Sequence, residues 1–185
     1  MRKLIYESNV SLDGFADHTA ASVVNDELLD FFSGLLDETG IELFGRVTYQ
    51  LMESYWPNIY QEPNTTRGEL EFADRFNSIS KIVFSKSLQK ADWNNTRLIK
   101  SDSVEEVKKL KQQPGKNISV GGIHLASTLM NAGLIDEYWI LIHPVIVGKG
   151  RRLFEGINDR QNLKLVETKK FNSGVVVLHY LSIKK

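Results

Sequence analysis

The stretch Ile118–Thr128, ISVGGIHLAST, sets a β-branched run directly before two adjacent glycines and a small-residue helical pattern directly after them. Ile118 to Val120 reads as a strand and Ile123 to Ala132 as a helix, so Gly121-Gly122 is a strand-to-helix junction. Two physical readings stand side by side. A glycine pair can form a tight turn, or it can bring backbone close to a ligand at a helix N-terminus. The spacing is not the dinucleotide fingerprint, because no third glycine follows at the required position, and no Gly-Lys-Ser/Thr closes it as a phosphate loop.

Working outward, the same alternation recurs. Leu4 to Leu12 suits a strand ended by Asp13-Gly14, a turn dipeptide. Asn25 or Asp26 is placed to cap a helix reaching Glu38, with Leu28, Phe32, Leu35 and Leu36 on one face and Gly40 closing it. Ile41 to Gly45 is a short strand and Arg46 to Ser54 a helix stopped at Trp56-Pro57. Asn58 to Arg67 is a polar surface loop and Glu69 to Asn77 a helix. Lys81 to Ser85 reads as a buried strand and Leu98-Ile99 as a weak one. Ser101 or Ser103 caps a helix from Val104 to Lys111. Tyr138 to Val147 is a long apolar strand. Leu163 to Phe171 and Val175 to Ile183 form a hairpin around Asn172-Ser173-Gly174. Repeated β-α units followed by strands alone predict an α/β fold with a mainly parallel sheet and an antiparallel edge.

Bulk properties narrow the function. The 185 residues suit one domain, and no linker, repeat or low-complexity tract divides them. Lys plus Arg and Asp plus Glu both number 23, so the basic excess of a nucleic-acid binder is missing. With no cysteine, disulfides, thiolate zinc sites and a Cys nucleophile are excluded. The first residues, MRKLIYESNV, lack a signal peptide's apolar core, and the longest apolar run, Tyr138 to Gly148, is far below the ~20 residues of a bilayer span. The expectation is a soluble cytoplasmic protein. His18, His124, His143 and His179 show no metal-ligand spacing, and no serine sits in a Gly-x-Ser-x-Gly elbow. His179, within an apolar strand, suits packing or an exposed edge rather than catalysis.

Three strand ends offer chemistry: FGRVTY (Phe44–Tyr49), FSKSL (Phe84–Leu88) and VGGIHLA (Val120–Ala126). In open α/β sheets ligands gather beyond the carboxyl ends of strands, where helix N-termini favour anions. Arg46 and Thr48 suit phosphate, as do Ser85 and Lys86; each is equally at home as a solvated surface side chain or a cap.

Taken in order, these stretches resemble the dihydrofolate reductase-like superfamily, in particular the riboflavin-biosynthesis reductase domain. The similarity runs through SLDG (Ser11–Gly14), FGRVTY, KIVFSKSL, ISVGGIHLASTLMNAGLIDEYWILIHPVIVGKGRRLF and FNSGVVVLHY. It implies a three-layer α/β fold with a central, mostly parallel mixed sheet, an antiparallel C-terminal hairpin and flanking helices. It further implies an NADPH-dependent reductase. Gly45, Arg46 and Thr48 would hold cofactor phosphates, and Ser85 and Lys86 would meet the adenosine 2′-phosphate. Gly121, Gly122 and Ile123 would approach the pyrophosphate and nicotinamide, with the backbone from Val10 to Leu12 lining the nicotinamide. The acid on the first helix that binds substrate in dihydrofolate reductases would be Glu27 or Asp30; helix capping is the alternative role for both. The substrate would be a small pterin or phosphoribosyl-aminopyrimidine, and no metal is implied. A homodimer is implied too, with Tyr138–Val147 as a candidate interface or else as the sheet centre. HTAASVV (His18–Val24) replaces the Trp-bearing loop of folate reducers, and the cysteine-free chain has no zinc deaminase domain. Lys149, Arg151 and Arg152 suit either a substrate phosphate or a solvated loop. From another functional class, a binding protein that retains the fold without the chemistry fits the same motifs.

Overall fold

A computed structural model describes residues 1–16 and 24–183. The chain is α/β, with an eight-stranded mixed sheet in the order β4-β3-β2-β5-β1-β6-β8-β7. These strands are β1 (Leu4–Ser11), β2 (Thr39–Gly45), β3 (Ser80–Phe84), β4 (Thr96–Ile99), β5 (Asn117–Gly121), β6 (Glu137–His143), β7 (Leu163–Lys170) and β8 (Val176–Ser182). The helices are α1 (Asp26–Asp37), α2 (Arg46–Tyr55), α3 (Arg67–Ser78), α4 (Ser103–Gln112) and α5 (Ile123–Asn131). The chain divides into two compact units. One comprises Met1–Arg2 and Val24–Ser119; the other comprises Lys3–Val23 and Val120–Lys185, of which 17–23 and 184–185 fall outside the described residues. The segment His18–Val23, expected to replace a Trp-bearing loop, lies among the latter.

In the first unit, β2, β3 and β4 run parallel, with Gly45 opposite Phe84 and Phe84 opposite Ile99. Leu29, Leu36, Phe44, Tyr49, Phe72, Phe76, Val83 and Trp93 form its core. Each such side chain contributes about 1.5–3 kcal/mol on burial. The aromatic rings interlock, with Trp93 edge-on to Phe76 at 5.3 Å and stacked on Phe44 at 6.4 Å. Lys81, which the β3 pattern suggests as simply buried, is fully enclosed. Its ammonium donates to the carbonyls of Asn77 (3.1 Å) and Ile79 (3.0 Å) and lies 4.4 Å from the Trp93 ring centre. It satisfies carbonyls left over at the end of α3, and burial pushes its pKa down to about 8.

In the second unit, β1 and β6 are parallel, from Ile5 opposite Glu137 to Ser11 opposite His143. β6 pairs antiparallel with β8, and β8 with β7, closing the expected hairpin around Gly174 (φ 85°). β7 is the outer strand: Lys164 through Lys170 are all exposed, and the register slips between Leu165 and Glu167.

Several boundaries differ from the sequence reading. Gly40 does not stop α1; the helix closes at Glu38 and Gly40 sits within β2. Asp102, not Ser101 or Ser103, caps α4, accepting from the Glu105 amide at 3.0 Å. The carboxylate lies between the two serines that the pattern offers, one residue from each, and it is the stronger acceptor. The loop Asn58–Arg67 contains a 3-10 turn at Ile59–Gln61 that buries Ile59, and Thr66 starts α3 early through a capping box with Glu69. The long strand ends at His143, because Pro144 has no N–H for the ladder. Both edges of β6 are taken, by β1 and β8, so its ladder is closed to a second copy.

Candidate functional site

In the first unit, the parallel register of β2 and β3 decides the geometry. Gly45 and Phe84 are partners at the carboxyl ends of adjacent strands, so Arg46 and Ser85 leave the sheet side by side. Gly45 is the N-cap of α2 and offers no capping side chain, and the first turn holds no acidic residue. The leading N–H groups of α2 therefore face no built-in anion. Arg46 is exposed and donates to Gln50 Oε1 at 3.0 Å; Thr48 is half-buried one turn in. After β3, the Ser85 hydroxyl accepts from the amides of Leu88 (3.0 Å) and Ser87 (3.3 Å), forming a turn that lifts Lys86 into solvent. A cleft of about 590 Å³ opens here, between Arg46, Gln50 and Glu53 of α2 and Ser87, Lys90 and Asp92 of the following loop.

Sequence reasoning passed over the clamp that sets this cleft. The Tyr49 hydroxyl donates to Glu53 Oε1 at 2.5 Å and accepts from the Trp93 amide at 3.1 Å; the Asp92 amide also reaches Glu53 Oε1, at 3.3 Å. Burial and the Glu53 carboxylate push the Tyr49 pKa up to about 12, so the phenol stays a donor. The i, i+4 spacing of Tyr49 and Glu53 is visible in the sequence; the amides they hold are not.

The first-helix acids have defined partners. Asp30 is half exposed and paired with Arg67 of α3, Nη2 to Oδ2 at 3.1 Å. Asp26 accepts from Thr66 Oγ1 at 2.6 Å. Glu27 is half-buried in the first turn of α1, where Asn25 caps by accepting from the Leu28 amide at 3.1 Å.

In the second unit, Gly122 caps α5 with φ 89° and ψ 146°, a backbone region that L side chains rarely adopt. As at α2, there is no capping side chain and no acid in the first turn. Gly121 and Ile123 flank it, half-buried. The contrast with the other helices is consistent: α1, α3 and α4 are capped by Asn25, Thr66 and Asp102 and carry acids in their first turns. Val10 is buried near the end of β1, and Leu12 is exposed just beyond it. Leu12 is held by its amide, which donates to the Val145 carbonyl at 2.8 Å.

Asp13, read from sequence only as half of a turn, is tied to distant chain. Its carboxylate accepts from Ser11 Oγ at 2.6 Å, Val147 N at 3.2 Å and Gly148 N at 2.7 Å. The Ser11 hydrogen bond comes first among the causes holding its pKa below the usual carboxylate value, with the two amides adding to it. At the end of β6, His143 is fully buried, with Nε2 2.8 Å from Asn9 Oδ1, and burial lowers its pKa. His179 packs as expected, stacked on Trp139 at 3.7 Å. Among the described residues, no group of three or more His, Asp or Glu is placed to hold a metal ion, and no helix is long and apolar enough to cross a membrane.

Comparison with known proteins bears on the family and the fold. The family model of the RibD C-terminal domain matches residues 2–177. The uncharacterized protein YyaP of Bacillus subtilis (strain 168) is 37% identical, over 97% of this chain and 94% of its own. Among solved structures, a Shewanella sp. PV-4 protein named for riboflavin biosynthesis superposes with a TM-score of 0.77 at 18% identity, covering 98% of this chain and 99% of its own. A Thermotoga maritima diaminohydroxyphosphoribosylaminopyrimidine deaminase/5-amino-6-(5-phosphoribosylamino)uracil reductase gives 0.67 at 16%, with this chain covered to 98% and that one to 57%. With the family model spanning nearly its whole length, this chain belongs to the RibD C-terminal domain family.

Proposed function

We propose that this chain is an NADPH-dependent reductase that delivers hydride to a C=N or C=O bond of a small heterocycle of the pterin or phosphoribosyl-aminopyrimidine type. The observation that carries the reading is the pair of uncapped, acid-free helix starts at Gly45 and Gly122, against three other helices that are capped and acidic. Helices α2 and α5 have kept their N–H groups for an outside anion, and a dinucleotide supplies several. Arg46 and Thr48 hold phosphate at the start of α2; Ser85 and Lys86 add a hydroxyl and a cation for a 2′-phosphate. Gly121, Gly122 and Ile123 admit the pyrophosphate to the start of α5, and the backbone from Val10 to Leu12 lines the nicotinamide. The bound cofactor supplies the hydride, and the protein supplies orientation and charge. Glu27 is the candidate proton source.

The pairing of Asp30 with Arg67 favours one second reading, a nucleotide-binding protein without reduction, because that carboxylate already serves the α1–α3 contact. One titration separates them. NADPH is added to the protein and nicotinamide fluorescence followed, and then its oxidation is measured across a panel of pterins and aminopyrimidines. Binding with oxidation is the expected result. Absence of binding overturns the reductase, and binding without oxidation across the panel supports the second reading.

A further inference from the structure

Asp13 joins three pieces of chain in the second unit. The first is the end of β1, through Ser11 Oγ; Ser11 in turn accepts from the Phe15 amide at 3.0 Å through that same oxygen. The second is the turn that carries it, closed independently of the carboxylate by the Gly14 amide donating to the Ser11 carbonyl at 2.9 Å. The third is the segment after β6, whose Val147 and Gly148 amides donate to the two carboxylate oxygens across 134 and 135 residues of sequence. Beside this knot, Leu12 donates its amide to Val145. Leu12 and Ile146 remain 65% and 72% exposed, large apolar side chains on anchored backbone. An ordinary turn aspartate caps its own local amides; this one spends its acceptors on a remote loop.

We propose that Asp13 is a positioning residue for the nicotinamide end of the site. Its carboxylate latches the segment Val145–Gly148 to the turn after β1, and so fixes where Leu12 and Ile146 stand when the ring arrives. The assignment rests on the reductase reading above. It adds to that reading a residue that touches neither cofactor nor substrate and acts through two backbone amides. The charge is needed because a carboxylate accepts at both oxygens, whereas the isosteric amide can accept at only one. Pre-organisation of this kind lowers the ordering cost of binding.

The test compares the full-length parent with Asp13→Asn, which keeps the shape, and Asp13→Ala, which removes both acceptors. Amide exchange is expected to speed up by about tenfold or more at both Val147 and Gly148 in Asp13→Ala, and at one of the two in Asp13→Asn, the effect of losing a charge-assisted hydrogen bond. Unchanged exchange overturns the latch whatever the nucleotides do. The Kd for NADPH is expected to rise by about tenfold, with a smaller nicotinamide fluorescence gain at saturation. The Kd for 2′-phosphoadenosine 5′-phosphate, which lacks the nicotinamide, is expected to stay within about twofold of the parent. A loss of both affinities together, or of neither, overturns the positioning role. If the parent itself binds no NADPH, the reductase reading falls and takes that role with it, while the exchange data still judge the latch.

Discussion

The Tyr49 hydroxyl lies 2.5 Å from Glu53 Oε1, one turn along α2, and the phenol oxygen accepts from the buried Trp93 amide at 3.1 Å. A single phenol thus fastens the loop that follows β3 to the helix that starts at Gly45. Tyr49→Phe leaves the Trp93 N–H without an acceptor in a closed core. It is expected to cost about 1–3 kcal/mol of stability, read from urea unfolding. The loop bearing Ser87, Lys90 and Asp92 is expected to exchange its amides faster.

Arg46 and Lys86 stand at neighbouring strand ends, yet their expected roles differ. Arg46→Ala removes a phosphate donor at the start of α2, and NADPH and NADH are both expected to bind about tenfold more weakly. Lys86→Ala removes a charge assigned to the 2′-phosphate alone. NADPH is expected to weaken by a similar factor and NADH to remain unchanged. Parallel titrations with the two cofactors check the split; equal losses for Lys86→Ala would refute its assignment.

Gly122 cannot be replaced without strain. Its φ of 89° and ψ of 146° cost an L side chain about 1–3 kcal/mol, and a methyl there would stand where the proposed pyrophosphate approaches the amides of α5. Gly122→Ala is expected to lower Tm modestly while weakening NADPH by more than tenfold, a disproportion that fluorescence titration and thermal melting together will reveal.

His143 makes stability depend on pH. It is buried and its pKa in the fold is lowered from the ordinary 6.5, so near and below that value the unfolded chain binds the extra proton first. The contribution of the neutral ring is complete above the unfolded value and is lost as pH falls through about 6.5 and below, until the folded value is reached. Urea unfolding at pH 7.5 and pH 5.5 is expected to show the parent losing stability on acidification, with a smaller loss in His143→Asn. Equal losses in the two proteins would count against this origin.

Much of the fold is legible because local chemistry and long-range packing agree. Asn25 caps α1, and of the expected apolar face Leu28 and Leu36 are buried while Phe32 and Leu35 are half-buried. The hairpin turns where Gly174 allows a positive φ. Legibility fails where two signals compete within a few residues. Gly40 looks like a helix stop, but the strand beginning at Thr39 claims it. Tyr138 to Val147 is apolar but for His143, and the missing N–H of Pro144 shows where the ladder ends. At the candidate site, Gly45, Arg46 and Gly122 are visible as strand-end residues, but a turn, a cap or a solvated side chain explains each equally well in sequence, and only the uncapped helix starts set them apart. Asp13 and Tyr49 do not, because their roles lie in partners 134 and 44 residues away.

The outer strand β7 has a consequence for how this protein behaves in crowded solution. Lys164, Glu167, Lys169 and Lys170 stud a strand whose ladder breaks between Leu165 and Glu167. Another chain's strand arriving there would find its hydrogen bonds out of step and its own charges set against these. Leu165 and Val166 are half exposed on the same strand, and without the lysines around them they would make it an inviting seed for fibrils. The rim of the sheet at β7 therefore acts as insulation, opposing β-growth beyond the eighth strand.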